Sequence, residues 1–281
     1  MTTPLPPITI DPIKRVFNIT PSPPDSRDYK VEFPVELKTI LHPYTKEITT
    51  STKVAPKTYS LSSYFKYVFD QGALGSCTAN AACQYYGFLL RKTSTPFSRL
   101  MHYWNTRKVE NNIHQDSGAT VRTTVSVLCK NGICEEINWP YIIKNFTIQP
   151  PDTVCSKIIP PPQTLRYVSL RITPSQWESA LLAGQPIIFG MYVFSTFSNS
   201  QTAKTGIVSY PTRSEKLLGG HCMLCTGYNQ TSRQFQFLNS WGSKWGKNGY
   251  GYFPYSYLTS PYIINRTKVV LIFDAWTIVM Q

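Results

Sequence analysis

The chain has 281 residues, 42% hydrophobic and 15% charged, and Lys plus Arg exceed Asp plus Glu by 28 to 15, for a net charge of +13. That composition is globular, with fewer charges than the roughly 25% of an average domain, and no run of about 18 apolar residues exists to make a membrane-spanning helix. The basic residues are scattered, without a block of five or six and without zinc-finger or RNP patterns, so the charge reads as that of a basic soluble protein, with non-specific polyanion attraction as the alternative and no specific nucleic-acid site expected.

The amino terminus, MTTPLPPITIDP, has no basic region and no long apolar region, so no signal peptide is expected. Seven cysteines without a secretory signal imply free thiols in a reducing compartment. Residues 1–58 hold ten of the 22 prolines. Proline fixes φ and lacks an N–H, so this stretch is expected to be an extended arm, neither helix nor central strand. Polyproline II pieces are expected at residues 4–7 and 21–24.

After Tyr59 the pattern changes. Residues 77–92 (CTANAACQYYGFLLRK) contain one glycine and no proline, which predicts a helix beginning at Ser76 or Cys77. Gly72 and Gly75 shape the turn before it. Helices are also predicted over residues 98–109 and 120–130, the second stopped by Asn131-Gly132. Five prolines between residues 149 and 162 predict a crossover loop. From Leu165 the chain turns β-like. One short helix at residues 175–183 precedes strands at 186–193, 221–228, 234–238, 249–254 and 268–272. A helical half (residues 59–164) before a β half (residues 165–281) makes the class α+β.

Three separated segments carry chemistry: DQGALGSCTANA at residues 70–81, GGHCMLCTGY at 219–228 and FLNSWGSKWGKNGYG at 237–251. Cys77 stands where a glycine-bearing turn enters a helix, and the partial positive charge there favours a thiolate. Gln71 offers an amide donor and Cys77 its own N–H, two groups able to hold an oxyanion. A cysteine nucleophile needs a base, and the base needs an orienting partner. His221, between a Gly-Gly pair and an apolar strand, fits the first role. Asn239, just past a predicted strand, fits the second, with Trp241 placed to cover the pair. Cys222 and Cys225 form a C-x-x-C pair, but residues three apart on a strand face opposite sides, so no metal is expected. No cofactor motif occurs.

Together these segments resemble the papain family of cysteine peptidases. The family signature puts its His and Asn about 130–150 residues past the Cys; here they follow by 144 and 162. The resemblance spans roughly residues 59–257 and includes SGATVRTTVSVLCKNGICEEINWPY at 117–141. It implies a helical lobe and a β-barrel-like lobe with a cleft between them. It implies a cysteine endopeptidase that hydrolyses a polypeptide through a thioester, with Cys77 as nucleophile, His221 as base, Asn239 as orienter and Gln71 as oxyanion donor. It further implies that Gly118 and Ala119 pair with the substrate main chain. Thr120, Val121, Gly220 and Cys222 would line the pocket for the residue two before the cut, and Trp241 would complete the substrate site. The thiol would be depressed to about 3–4, making a thiolate–imidazolium pair the resting state.

Departures from the secreted members are informative. Leu74 stands where they carry a disulfide cysteine, and no cysteine occurs near Asp116, where its partner would fall. PDSRDYKVEF at residues 24–33 is similar to a PDxRDY element of a bacterial, archaeal and large-DNA-virus subgroup, which implies a cytoplasmic setting or packaging in a virus particle. Residues 1–58 are expected to pack across one or both lobes, possible cover for the cleft. The alternatives are a catalytically silent structural or virion protein on the same scaffold, or a cysteine isopeptidase or transpeptidase.

Overall fold

A computed structural model describes residues 14–30, 33, 39–41, 48–50 and 55–280. The polyproline II piece expected at residues 4–7 lies outside them. In chain order, short strands β1 (Thr39–Leu41), β2 (Ile48–Thr50) and β3 (Thr58–Ser60) precede helices α1 (Cys77–Leu89), α2 (Arg99–Val109), α3 (Val121–Asn131) and α4 (Asp152–Cys155). Next come β4 (Leu165–Ser169), α5 (Pro174–Leu182), β5 (Ile187–Phe194), α6 (Ser200–Thr205), β6 (Leu217–Asn229), β7 (Gln234–Leu238) and β8 (Tyr250–Pro254). The chain ends with α7 (Ser256–Thr259), β9 (Tyr262–Ile264), β10 (Thr267–Val269) and β11 (Ile272–Met280).

Helix α1 is the central post. Every residue from Cys77 to Phe88 is buried, as befits a helix with small or apolar side chains on all sides. It packs against α2, α3 and strand β6. Ser98, Thr120 and Thr173 cap α2, α3 and α5 by accepting main-chain N–H bonds, each worth about 1 kcal/mol. The β lobe is an antiparallel sheet in the order β4-β11-β5-β6-β7-β8, with β3 added to β6. Trp177 of α5 plugs its inner face against Phe189, Phe235 and Phe253 at ring separations of 5.3, 5.2 and 6.3 Å. Tyr85 of α1 ties the lobes together, its hydroxyl 2.6 Å from Thr277 Oγ1 of β11.

Three expectations need correction. The strand placed at residues 268–272 is two elements. β10 stops at Val269, and a new strand, β11, runs from Ile272 to Met280 between β4 and β5. Asp274 interrupts its apolar pattern, yet the carboxylate accepts from Trp276 Nε1 at 3.1 Å and from Ser22 N at 2.8 Å, so a polar side chain sits within the sheet. The arm does contribute to the sheet, because β3 crosses the 58/59 boundary and pairs with β6 at Thr58↔Asn229. Strand β6 begins four residues earlier than expected, at Leu217, since paired main chain tolerates Gly219 and Gly220.

His102 of α2 is fully buried and neither ring nitrogen has a hydrogen-bond partner. Burial pushes its pKa down from 6.5 to about 3, opposed only by the Thr124 main chain, which falls short of hydrogen-bond geometry. The unfolded chain therefore binds a proton that the folded one refuses. The stability contribution is present above pH 6.5 and is lost as pH falls toward 3. The variant His102→Phe should flatten that fall relative to the parent chain, as read by urea unfolding at stepped pH. Identical pH slopes for the two proteins would refute the assignment.

Candidate active site

The turn before α1 is held by contacts from four directions. Gln71 N donates to Ser240 O at 2.9 Å, and Ser76 N donates to Leu74 O at 2.8 Å. The Tyr141 hydroxyl donates to Gln71 O at 2.9 Å and lies 2.5 Å from Ser76 Oγ. Arg99 stacks over Tyr141 with its guanidinium carbon 3.8 Å from the ring centre and pairs with Glu136 at 2.5 Å. Gly75 N donates to both carboxylate oxygens of Asp116 at 3.0 Å. Asp116 also accepts from Tyr103 Oη at 2.5 Å, and Tyr103 Oη takes the Gly118 N–H at 3.1 Å. Asp116 thus ties the turn before Cys77 to the loop holding Gly118. The variant Asp116→Ala is expected to lower kcat at least about tenfold through misplacement of that turn. Asp116→Asn, which keeps one acceptor, should fall between. A full-activity alanine variant in a steady-state peptidase assay would refute this role.

Strands β6 and β7 bring the other two residues together. Leu224 pairs with Leu238, so Asn239, one residue past β7, lies diagonally beside His221 on the same face. His221 Nε2 is 2.9 Å from Asn239 Oδ1. That oxygen also accepts from Ser240 N at 2.8 Å, so Nε2 is the donor. Nδ1 is left as the basic nitrogen, buried and without a partner. The Cys222 main-chain N–H, adjacent to His221, acts to lower the Cys77 thiol pKa. Trp241 covers the pair at 5.2 Å from the His221 ring. Phe197, which no motif signals, closes the other side at 5.8 Å from His221 and 5.2 Å from Trp241. Gln71 is fully buried; its Oε1 accepts from Ser240 Oγ at 2.6 Å and its Nε2 donates to Leu74 O at 2.9 Å. One of its two amide N–H groups is thereby used and the head group is oriented.

The arm lies in the cleft. Asn18 forms a parallel bridge with Gly220, and its Nδ2 donates to Asp116 O at 2.7 Å. Phe17 packs at 5.9 Å from His221 and 5.8 Å from Trp241. Ile19 is 4% exposed within the apolar core. A Cβ on Gly219 or Gly220 would meet the Phe17 or Ile19 carbonyl at 2.1 or 2.3 Å, so glycine there is what admits a second main chain. Gly118, at φ +70, likewise has Asn18 O within 2.7 Å of where a Cβ would lie. Beyond the cleft, Ser22 Oγ donates to Asp274 at 2.9 Å, while Asp25 and Asp28 pair with Arg122 at 2.6 and 2.5 Å. The arm is therefore pinned to β11 and to α3.

The remaining expected site residues divide. Gly118 and Gly220 contact the arm. Ala119 and Val121 are buried. Thr120 caps α3 and donates to Glu110 Oε1 at 2.8 Å. Cys222 lines a narrow gap against Asn80, Ala81 and Gln84 of α1. Burial works against the expected thiolate–imidazolium pair in this arrangement. Burial pushes the Cys77 thiol up to about 12, against help from nearby main-chain N–H groups. Burial pushes His221 down to about 4, and the Arg15 charge adds to that. Both side chains are fully buried, so each is neutral here. Water is what would have stabilised the ion pair.

A family model described as papain family cysteine protease matches residues 55–258. An uncharacterised peptidase C1-like protein of Acanthamoeba polyphaga mimivirus is 36% identical over 270 residues, 88% of this chain and 83% of that one. Xylellain, a cysteine protease from Xylella fastidiosa, superposes with a TM-score of 0.77 at 27% identity, covering 98% of this chain and 100% of xylellain. Digestive procathepsin L 3 of Tenebrio molitor shares the fold, with a TM-score of 0.59 at 16% identity over 89% of this chain and 73% of that one. Among the described residues no helix is long and apolar enough to cross a membrane.

Proposed function

The chain belongs to the papain family of cysteine proteases, and from that premise we propose that it is an endopeptidase acting through a thioester on Cys77. The observation that carries the reading is a histidine whose Nε2 is committed to Asn239, on the strand that packs against the helix beginning at Cys77. His221 Nδ1 takes the thiol proton, and sulfur adds to the scissile carbonyl. The oxygen becomes an oxyanion held by the Cys77 N–H and the second N–H of Gln71. The C–N bond breaks as His221 returns the proton to the amine. Water then attacks the thioester with His221 as base, releasing the acid and restoring Cys77.

The arm is the natural inhibitor of this site. With the acyl half of a substrate along Gly118 and the leaving half under Trp241, the arm runs backwards. Phe17 sits on the leaving side, Asn18 at the cut and Ile19 on the acyl side. Reversal exchanges N–H and C=O positions, so no arm carbonyl is presented as a substrate's would be. The mimivirus relative favours a virus particle or host cytoplasm as the setting. The test is hydrolysis of internally quenched peptides, with product analysis in added amine. Acid products support a peptidase. Amide products would replace it by a transferase, and neither hydrolysis nor labelling of Cys77 by a peptidyl fluoromethyl ketone would leave a silent scaffold.

A further inference from the structure

One arm side chain is enclosed far more tightly than passage over a surface requires. Arg15 lies two residues before Phe17, and its side chain is only 7% exposed. Its Nη1 donates to Asp70 Oδ1 at 2.5 Å and to Gly72 O at 3.4 Å, and its guanidinium carbon is 5.3 Å from the Trp241 ring centre. A carboxylate, a carbonyl and an aromatic face are the three groups that suit a guanidinium. The cradle is fixed independently of the arm. Asp70 bridges Trp241 in an antiparallel pair, and its Oδ1 also accepts from Gly72 N at 2.9 Å. Burial raises the Asp70 carboxyl, but the bonds from Arg15 and Gly72 outweigh it and hold the group below its ordinary value. It is an anion at neutral pH.

We propose that Asp70, the Gly72 carbonyl and the face of Trp241 form a cation pocket that selects an arginine side chain two or three residues into the leaving half of the substrate. This rests on the peptidase reading above. Phe17 marks the first position past the cut, and main chain advances by a similar length per residue in either direction. Arg15 therefore stands where the third residue of a forward-running substrate would lie. The arm's arginine and a substrate's arginine compete for one place. A neutral isostere such as citrulline keeps the shape and loses the charge, so charge recognition is read directly by that comparison.

The test uses full-length protein in which Ile19→Asp loosens the arm and Arg15→Ala vacates the pocket. Matched quenched peptides bear arginine or citrulline at the second or the third position past the cut. The expected kcat/KM ratio, arginine over citrulline, is about tenfold at one of these positions, carried mainly by KM. In Arg15→Ala combined with Asp70→Asn, the ratio should fall to about twofold or less. Taking the ratio within each variant cancels any general loss from disturbing the neighbouring Gln71. A ratio near one in Arg15→Ala, or one unmoved by Asp70→Asn, overturns the pocket while peptide cleavage itself stands. Failure of every variant to cleave either peptide overturns the peptidase reading and the pocket with it.

Discussion

Cys77→Ala is expected to reduce peptide hydrolysis by a factor on the order of 10⁴ or more. In the proposed mechanism the Cys77 thiol forms the covalent bond, and burial holds the neighbouring Cys222 thiol well above its ordinary pKa. His221 and Asn239 would remain in place, but a base without its nucleophile can only activate water against an amide, a far slower route. Stability should change little, because the substitution deletes a single sulfur atom from the first residue of a helix. Circular dichroism and urea unfolding check that separately from activity. The same variant should lose mass-shift labelling by a peptidyl fluoromethyl ketone at residue 77. Exposed Cys155 serves as an internal control for general thiol reactivity. Hydrolysis within tenfold of the parent chain would sink the assignment of the nucleophile.

The second large effect concerns the arm. Ile19→Asp is expected to raise kcat/KM of the full-length protein by about 10–100-fold. Burying an isoleucine contributes about 1.5–3 kcal/mol, and each 1.4 kcal/mol of lost arm affinity is worth a factor of ten. Placing a carboxylate in that apolar position adds a desolvation cost. Release also changes the chemistry of the pair. With the arm seated, the thiol lies at about 12 and the imidazole at about 4. Each charged form is disfavoured by burial, so uncovering the cleft moves the thiol down and the imidazole up. Alkylation of Cys77 should therefore be slow at neutral pH in the parent chain and fast in Ile19→Asp, with its pH midpoint shifted to lower pH. Equal rates in the two proteins, with intact folds, would show that the arm does not limit the site.

The seated state is built from several modest contacts rather than one strong one. Ile19 packs, Asn18 bridges, Ser22 bonds Asp274, and Arg122 pairs with Asp25 and Asp28. The Arg122 pairs keep some solvent contact, and ion pairs near the surface contribute about 1 kcal/mol each. Such a latch can be undone without unfolding either lobe.

The helix start at Cys77 was legible because its requirements are local. A thiol at a helix start needs a glycine turn and a helix-forming run, and residues 70–92 supply both in one stretch. The same holds for most strands of the β half, whose β-branched and aromatic runs are short and bounded by turn residues. Strand β11 was missed for a physical reason. Asp274 breaks its pattern, and what makes that tolerable is Ser22, 252 residues away in sequence. Ser240 behind Gln71, Asp116 behind Gly75 and Phe197 over His221 left no signal either, since a single polar or aromatic residue in a loop has too many uses to be assigned from its type.

Residue order alone determined which groups can do chemistry here and which secondary structure carries them, because propensity, capping and turn formation act over a few neighbouring residues. Tertiary structure decided which of those groups meet, whether they are charged and what lies over them. Ionisation depends on the water and charges around a group, and Cys77 and His221 are both buried, with Phe17 of the arm packed against the His221 ring. That effect depends on contacts between segments far apart in the chain, which no local pattern encodes.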